Sequence, residues 1–415
     1  MASGLRDDKH FMRWAFADGI SVMGTSISTV VLPLVVYAST GSSAATGGLF
    51  ALRVIPYILF GAVAGPVADR WNRRRLILGG HIIEGLLGAT IPIAALFGVL
   101  TVAQVYIVGL LSATAFVFSD AAVFGAVPAL VGTDQLAAAN GFLGSMVSGA
   151  EVIGPAVGGV LAATIGATNA VWFDSASFFI AAAMQGSIRS TFRTGEVPSG
   201  GLQVRAQLKR AIAFVRSNRT VATLLLTGCG NSIGFGAVLG LLVPYAVEQL
   251  DLPEKSWRVG LLYSANGAGA LVSGLIFARL FTTKRVRWIT PIAIAGAALM
   301  ALGLVLSTNW VPSTVLLVFF SWATGTTIVT GITYRQIAAP DELRSSVNVF
   351  GRMISWGGQP IGAGAGAFIS AALNVRAAYI FTVVMMTISA SMAFVFLRHG
   401  TEIERPASRQ RNSSA

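Results

Sequence analysis

The chain predicts an all-α integral membrane protein of twelve transmembrane helices in two six-helix, pseudo-symmetric halves. Three observations carry this. Of 415 residues, 54% are hydrophobic and 11% charged, against about 25% charged in soluble domains; mean hydropathy is +0.72. Twelve apolar segments follow one another, each close to the roughly 20 residues that cross a bilayer. The longest polar stretch, Arg189 to Arg219, comes after the sixth segment and divides them equally.

The segments span about 13–38, 46–68, 76–97, 103–129, 137–164, 168–188, 220–247, 257–280, 288–307, 311–335, 345–372 and 376–397. Lipid offers an open backbone no hydrogen-bond partner, so each must be a helix. The 47 glycines suit helices whose backbones approach closely. Residues 11–38 are read as the first helix. Their apolar run exceeds the roughly 7–15 residues of a signal-peptide core, and more spans follow. The expected units are an N-terminal half (1–188), a cytoplasmic linker with an amphipathic helix (189–219), a C-terminal half (220–397) and a cytoplasmic tail (398–415).

Charge sets the orientation. Of 29 Lys and Arg, 24 fall in the termini and alternate loops on one side, 3 on the other, and Arg53 and Arg352 lie within spans. Basic loops stay cytoplasmic, so both termini are expected inside. The net charge of +12 is spread over those loops, so the bilayer surface, not nucleic acid, is the expected partner. Cys229 is the single cysteine and can form no disulfide within the chain. In the linker, Val204, Leu208, Ala211, Ile212 and Val215 repeat at helical spacing, with Arg205, Lys209, Arg210, Arg216 and Arg219 on the other sides. This predicts a surface helix attracted to anionic lipid; a plain tie between the halves and a regulatory element both remain open.

The densest motif is the turn Gly65-Pro66-Val67-Ala68-Asp69-Arg70-Trp71-Asn72-Arg73-Arg74-Arg75 between the second and third segments. Gly65 would permit a close helix crossing, Asp69 can cap or pair at a helix end, and the arginines hold the turn at the headgroups. A weaker basic echo, Thr282 to Arg287, follows the eighth segment without the Gly and Asp. In the fifth segment Gly141, Gly154-Pro155 and Gly158-Gly159 combine a kinking proline with a flat glycine face for a partner helix.

The turn resembles the signature loop of the major facilitator superfamily of transporters, with Asn72 where many members have Gly. The fifth-segment glycines resemble the antiporter motif of its exporters, with Ala150 in place of one glycine. The runs Arg335–Arg344, Arg352–Gly357 and Pro360–Gly362, and Pro128–Val131 with Leu136 and Asn140, resemble the drug:proton antiporter branch that includes macrolide-efflux proteins and the enterobactin exporter. The resemblance implies the major facilitator fold. It implies a cytoplasmic latch of Gly65, Asp69, Arg70, Arg73 and Arg74, joined by Asp120 and Arg352, with simple positive-inside anchoring as the plainer reading. The antiporter motif, if more than packing, implies outward transport. The chain departs from many drug exporters in having no Arg between Val102 and Leu130.

Ionisable residues within spans cost roughly 2.5–3.5 kcal/mol on insertion scales and are functional candidates. They are Asp18, Arg53, Glu84, Asp120, Glu151, Asp174 and Arg352. Glu151 lies near the midplane, one turn before the Gly-Pro kink, and is the first candidate for proton or cation coupling; a packing carboxyl is the alternative. Arg53 could pair with a carboxylate, bind an anionic group or snorkel outward. The resemblance places Glu84 and Asp174 on outer helices, which implies structural roles. The cavity candidates are Arg53, Tyr57, Phe116, Phe235, Tyr263 and Trp356, a lining suited to a bulky amphipathic compound.

With three scattered histidines, no metal site is expected. No G-x-x-x-x-G-K-[ST] or catalytic dyad is found, so neither a cofactor nor enzyme chemistry is expected. The leading expectation is a secondary exporter of drug-like compounds or a secreted natural product. It would work by proton antiport and alternating access between the halves, sit in the cell (inner) membrane, and need only one chain. A siderophore or other anionic-metabolite exporter, and a non-transporting sensor or scaffold, are the alternatives.

Overall fold

The computed structural model describes residues 5, 7–132, 134–188, 192, 204–280, 285–340 and 343–397. The basic echo at 282–284, most of the linker before Val204 and the tail after Leu397 lie outside them.

Six helices form the N-terminal half: α1 (Lys9–Thr40), α2 (Ser43–Arg70), α3 (Arg73–Leu96), α4 (Val102–Val131), α5 (Leu136–Ile165) and α6 (Ala167–Gly186). The linker helix is α7 (Val204–Ser217). The C-terminal half is α8 (Arg219–Gly240), α9 (Trp257–Leu280), α10 (Val286–Leu306), α11 (Trp310–Ala338), α12 (Arg344–Ala372) and α13 (Val375–Leu397).

Local chemistry sets the ends. Asp8 accepts hydrogen bonds from the His10 and Phe11 amides at 2.8 and 3.1 Å, so α1 starts a turn before its apolar run. Ser42, Asn72, Thr101, Asn218 and Asn309 cap α2, α3, α4, α8 and α11 in the same way, satisfying amides that a helix leaves unpaired. Gly41 ends α1 at φ 58° and donates to the Tyr37 carbonyl at 2.7 Å, a left-handed cap that favours glycine. Beyond α8 the chain continues through Leu242–Pro244 and a π-helical turn, Tyr245–Gln249. That turn places the Gln249 amide on the carbonyls of Leu304, Val305 and Ser307, each at 3.0 Å, satisfying the end of α10.

Among the described residues, ten of the twelve long helices are apolar enough to cross a membrane on length and composition. The other two, α6 and α12, carry polar groups turned inward. Asp174, Ser175 and Gln185 of α6 are buried, and α12 carries Arg352 and Gln359 at the junction of the halves.

The two halves repeat one packing scheme. In each, the first helix packs on the fifth and sixth, the second on the fourth, and the third on the fourth and sixth. Across the halves, α2 packs on α12 and α5 on α9, a reciprocal second-to-fifth pairing that gives the molecule a pseudo-two-fold axis. The basic echo after the eighth segment is thus accompanied by a repeated packing scheme.

The C-terminal half has one continuous core, with Tyr245 stacked on Tyr379 at 4.6 Å. The N-terminal half has two apolar clusters. One surrounds Phe11, Trp14 and Ile77 near the end that carries the Arg70–Arg75 turn, here called the basic end. The other surrounds Val31, Ile91 and Val171 near the opposite end. Between them runs a belt of buried polar groups: His81, Glu84, Ser119, Asp174 and Ser175.

The linker helix differs from the expected lipid-facing surface helix. Ala211 packs with Ala339 and Val347, and Val215 joins the core of the C-terminal half. Ala211 and Val215 are thus covered by protein, while Lys209, Arg210 and Arg216 are exposed.

Glycine permits the tightest crossings. A Cβ at Gly362 would overlap the Ile233 carbonyl of α8, whereas one at Gly364 would meet nothing within 4 Å. Gly362→Val is therefore expected to cost at least about 2 kcal/mol through overpacking. The readouts are a lower apparent Tm in detergent and less monodisperse protein; Gly364→Ala should leave both unchanged.

Candidate functional site

Both inter-half contacts are tight at the end opposite the basic turn. On α5, Gly158 lies against the Ile27 backbone of α1, and Gly159 against Trp257 and Gly260 of α9. The Pro155 carbonyl faces Gly260, and the Glu151 carbonyl faces Gly267. On α2, Gly47 faces Ala363 and Ala367 of α12. Ser370 of α12 donates to Ser43 of α2 at 2.9 Å, and Tyr37 of α1 donates to Glu248 at 3.2 Å.

Towards the basic end the same helices diverge. Gly141, Gly144 and Gly149 of α5, Gly274 of α9 and Gly65 of α2 have no neighbour within 4 Å of where a Cβ would stand. The close crossing expected of Gly65 is not made here. The molecule is thus shut at one end and open at the other.

Of two adjoining cavities, the larger lies between the halves and the smaller lies inside the N-terminal half, bordered by Trp356 and Gln359 of α12. The larger, about 890 Å³, is lined by α1, α3, α4, α5, α8 and α9. It takes in Asp18, Asp120 and Glu151 with Phe116, Phe235 and Tyr263, and reaches Pro128, Leu136 and Asn140 towards the basic end. The smaller, about 350 Å³, is lined by Arg53, Tyr57, Glu84, Phe116, Asp174 and Trp356, among others. All six cavity candidates from the sequence therefore stand in one cavity or the other.

The basic turn is built into the N-terminal half. Arg73 donates to Asp69 at 2.9 Å and to the Gly125 carbonyl of α4 at 2.9 Å. The guanidinium occupies the space a side chain at residue 125 would need. Arg74 donates to the Gly186 carbonyl at 2.5 Å, tying the turn to α6. Arg70 lies at the exposed end of α2.

Asp120 and Arg352 meet elsewhere. Tyr57 donates to Asp120 at 2.8 Å and packs on Trp356 with ring centroids 5.1 Å apart. Arg352 lies 5.5 Å from the centroids of both rings, a cation–π arrangement. The expected latch residues thus form two groups: Asp69 with the arginines of the turn, and Asp120 with Arg352 around Tyr57.

The glycine motif of α5 also divides its work. Gly154 faces Met23 and Ser26 of α1, Gly158 seats α5 on α1, and Pro155 and Gly159 seat it on α9; Gly141 faces open space. Glu151, one turn before Pro155, lines the larger cavity, with no hydrogen bond or ion pair to its side chain among the described residues.

Glu84 and Asp174, given structural roles on outer helices by the resemblance, are buried and turn inward. Both line the smaller cavity with Arg53. Asp174 accepts a short hydrogen bond from Ser28 of α1, and Glu84 lies 3.8 Å from His81 Nδ1. A sequence signal existed: the polar run Asp174-Ser175-Ala176-Ser177 spends more polarity than a lipid-facing helix tolerates.

The Ser43–Ser370 contact gives a direct check on the closed end. In a Cys229→Ser background, Ser43→Cys with Ser370→Cys should form a disulfide, because the two hydroxyls already stand 2.9 Å apart and disulfide geometry demands such proximity. Resistance to maleimide labelling until reduction is the expected result; labelling without reduction would contradict the closed end.

The Major Facilitator Superfamily profile matches residues 14–355. Macrolide efflux protein A of Streptococcus pyogenes is 24% identical over 220 residues, 53% of this chain and 54% of that protein; the chain thus matches about half its length. Enterobactin exporter EntS of Escherichia coli K12 is 24% identical over 388 residues, 92% of this chain and 90% of that protein. A bacterial homologue of the human lysosomal transporter Spinster, in an inward-facing and unoccupied conformation, superposes with a TM-score of 0.75 at 14% identity, covering 96% of this chain and 98% of that one. The nucleoside transporter NupG, as its D323A mutant, gives 0.76 at 13% identity over 94% and 99%. These likenesses fix the fold; the profile match, spanning most of the sequence, fixes the family. The chain belongs to the Major Facilitator Superfamily, a multi-pass membrane transporter rather than an enzyme.

Proposed function

We propose that this transporter exports amphipathic drug-like compounds or a secreted natural product in exchange for protons, by alternating access. The observation that carries the reading is the larger cavity. It lies between the halves, is open towards one end only, and joins the aromatics Phe116, Phe235 and Tyr263 to the carboxyls Asp18, Asp120 and Glu151. Such a lining suits a bulky apolar molecule with a cationic or polar group. The names of the efflux relatives support export.

The excess of basic residues at one end supports placing that end, with both termini, in the cytoplasm of a bacterial inner membrane. The present arrangement is then inward-facing. Outward opening requires α5 and α9 to part at Gly159 and Gly260, and α2 and α12 at Ser43 and Ser370. The diverging helices would close together at the other end, bringing Gly65 and the Asp69–Arg74 turn towards α12 as a latch. Asp120, Tyr57 and Arg352 lie on the path of that closure. Residues 189–219 join the moving halves, and one chain holds the complete path.

Glu151 is the coupling residue in this reading. Its carboxyl faces the open cavity while its backbone rests on α9, so one residue touches both the cavity and the contact that must open. A second reading, export of a siderophore or another anionic metabolite, is favoured by Arg53 in the smaller cavity and by the EntS match over nine-tenths of each chain.

Inside-out vesicles carrying the protein should accumulate fluorescent amphipathic cations or macrocyclic compounds when the lumen is acidified, and a protonophore should abolish the accumulation. Glu151→Gln should lose the gradient-driven part while still binding the compound. Gradient-independent behaviour with both compound types would sink proton antiport, and uptake confined to anionic metabolites would select the second reading.

A further inference from the structure

The smaller cavity contains more charge than the export reading uses. Asp174 of α6 is 9% exposed and Glu84 of α3 is 4% exposed, and both line this cavity with Arg53 of α2. Asp174 Oδ2 accepts from Ser28, while Asp174 Oδ1 is buried with no partner among the described residues. No ion pair within 4 Å joins Arg53 to either carboxyl among those residues. The Arg53 stem is held instead against Gly109 of α4, 3.5 Å from where a Cβ would stand.

A charge count then limits the site. One guanidinium faces two carboxyls in an enclosure walled by Leu32, Ile91, Val108 and Val171. Arg53 stays cationic, and one ionised carboxyl balances it. A second uncompensated carboxylate in such a place costs several kcal/mol or more, and a buried acid avoids that cost by taking a proton. No donor reaches Oδ1 of Asp174 among the described residues, so no hydrogen bond stabilises a charge on that oxygen. A metal cation is a poorer fit, because the guanidinium shares the cavity.

We infer that Asp174, paired with Glu84 across Arg53, is an exchangeable proton-binding site inside the N-terminal half. The inference rests on the export reading only for its consequence, that this inner site stores the proton Glu151 exchanges with the cavity. Access in the present arrangement is from the basic end. The two cavities share Thr25, Glu84 and Phe116 as lining, and the larger also holds His81 and Asp18 on that route. Towards the other end the apolar cluster of Val31, Ile91 and Val171 closes the way. The titratable and charged groups acting on Asp174 are Arg53 from α2 and Glu84 from α3, with His81 beside Glu84; α1 presents the Ser28 hydroxyl, and no titratable group of α5 acts on it among the described residues.

The test is a pH titration of the reconstituted full chain by infrared difference spectroscopy, reading the carbonyl stretch of a protonated carboxylic acid. A titrating band should be present in the wild type, persist in Glu151→Gln and disappear in Asp174→Asn. Asp174→Glu keeps the carboxyl and should shift the band, which serves if Asp174→Asn does not fold. A band unmoved by both Asp174 variants, or no buried-acid band in the wild type, overturns the site. No transported compound is needed. A titrating Asp174 in a protein that moves nothing would sink the exporter reading and keep the site. Proton-driven export with no Asp174 band would do the reverse.

Discussion

The close approach of two backbones, α5 to α9 through Gly159 and Gly260, is the contact on which the rest of the arrangement depends. In a bilayer, helices gain little by hiding apolar side chains from one another, because lipid tails are as apolar as leucine; small residues that let backbones meet supply the attraction instead. The same device joins α2 to α12 at Gly47 and Ala363. Both contacts lie towards one end, so the halves must splay at the other. The cavity, its single opening and the presentation of Glu151 to it follow from where those glycines lie. Pro155 contributes by freeing and redirecting backbone at the crossing.

The two halves repeat one packing scheme yet differ in chemistry. The N-terminal half divides its apolar core into two clusters and buries His81, Glu84, Asp174 and several hydroxyls between them. Buried polar groups of this kind are tolerated only when hydrogen-bonded or neutralised, which Ser28 does in part for Asp174. The C-terminal half keeps a continuous core and brings aromatics, Phe235, Tyr263 and Trp356, to the shared cavities. Its described spans carry Arg335 and Arg352 but no carboxyl deeper than Glu248.

Much of this was legible in the chain. The twelve apolar runs and the central polar stretch are one-dimensional signals, and the helices follow them to within a few residues except at the end of the seventh run, where α8 stops at Gly240. The six cavity candidates also reach the cavities. What the sequence could not carry is the rotation of each helix about its axis, since a span with little amphipathic contrast does not say which face meets a neighbour. That is why Glu84 and Asp174, assigned to outer helices, turn inward to Arg53. It is also why Asp120 and Arg352 meet at Tyr57 instead of at Asp69. In the linker, a hydrophobic stripe does not distinguish lipid from a protein surface, and Ala211 packs with Ala339 and Val347. Gly65, read as a close-crossing residue, has no neighbour within 4 Å of where a Cβ would stand.

The central claim is that the two halves rock about the cavity, so that one end closes as the other opens. Pulsed electron spin resonance on the full chain, with the native cysteine replaced, measures this directly. One label pair at Gly144 and Gly274 spans the open end, where neither residue has a neighbour; a second at Thr40 and Asp251, both exposed, spans the closed end. Across a pH titration in lipid nanodiscs, the account predicts opposite changes, the first distance shortening as the second lengthens. Distances that move together, or a closed end that never opens while the other responds, would contradict it.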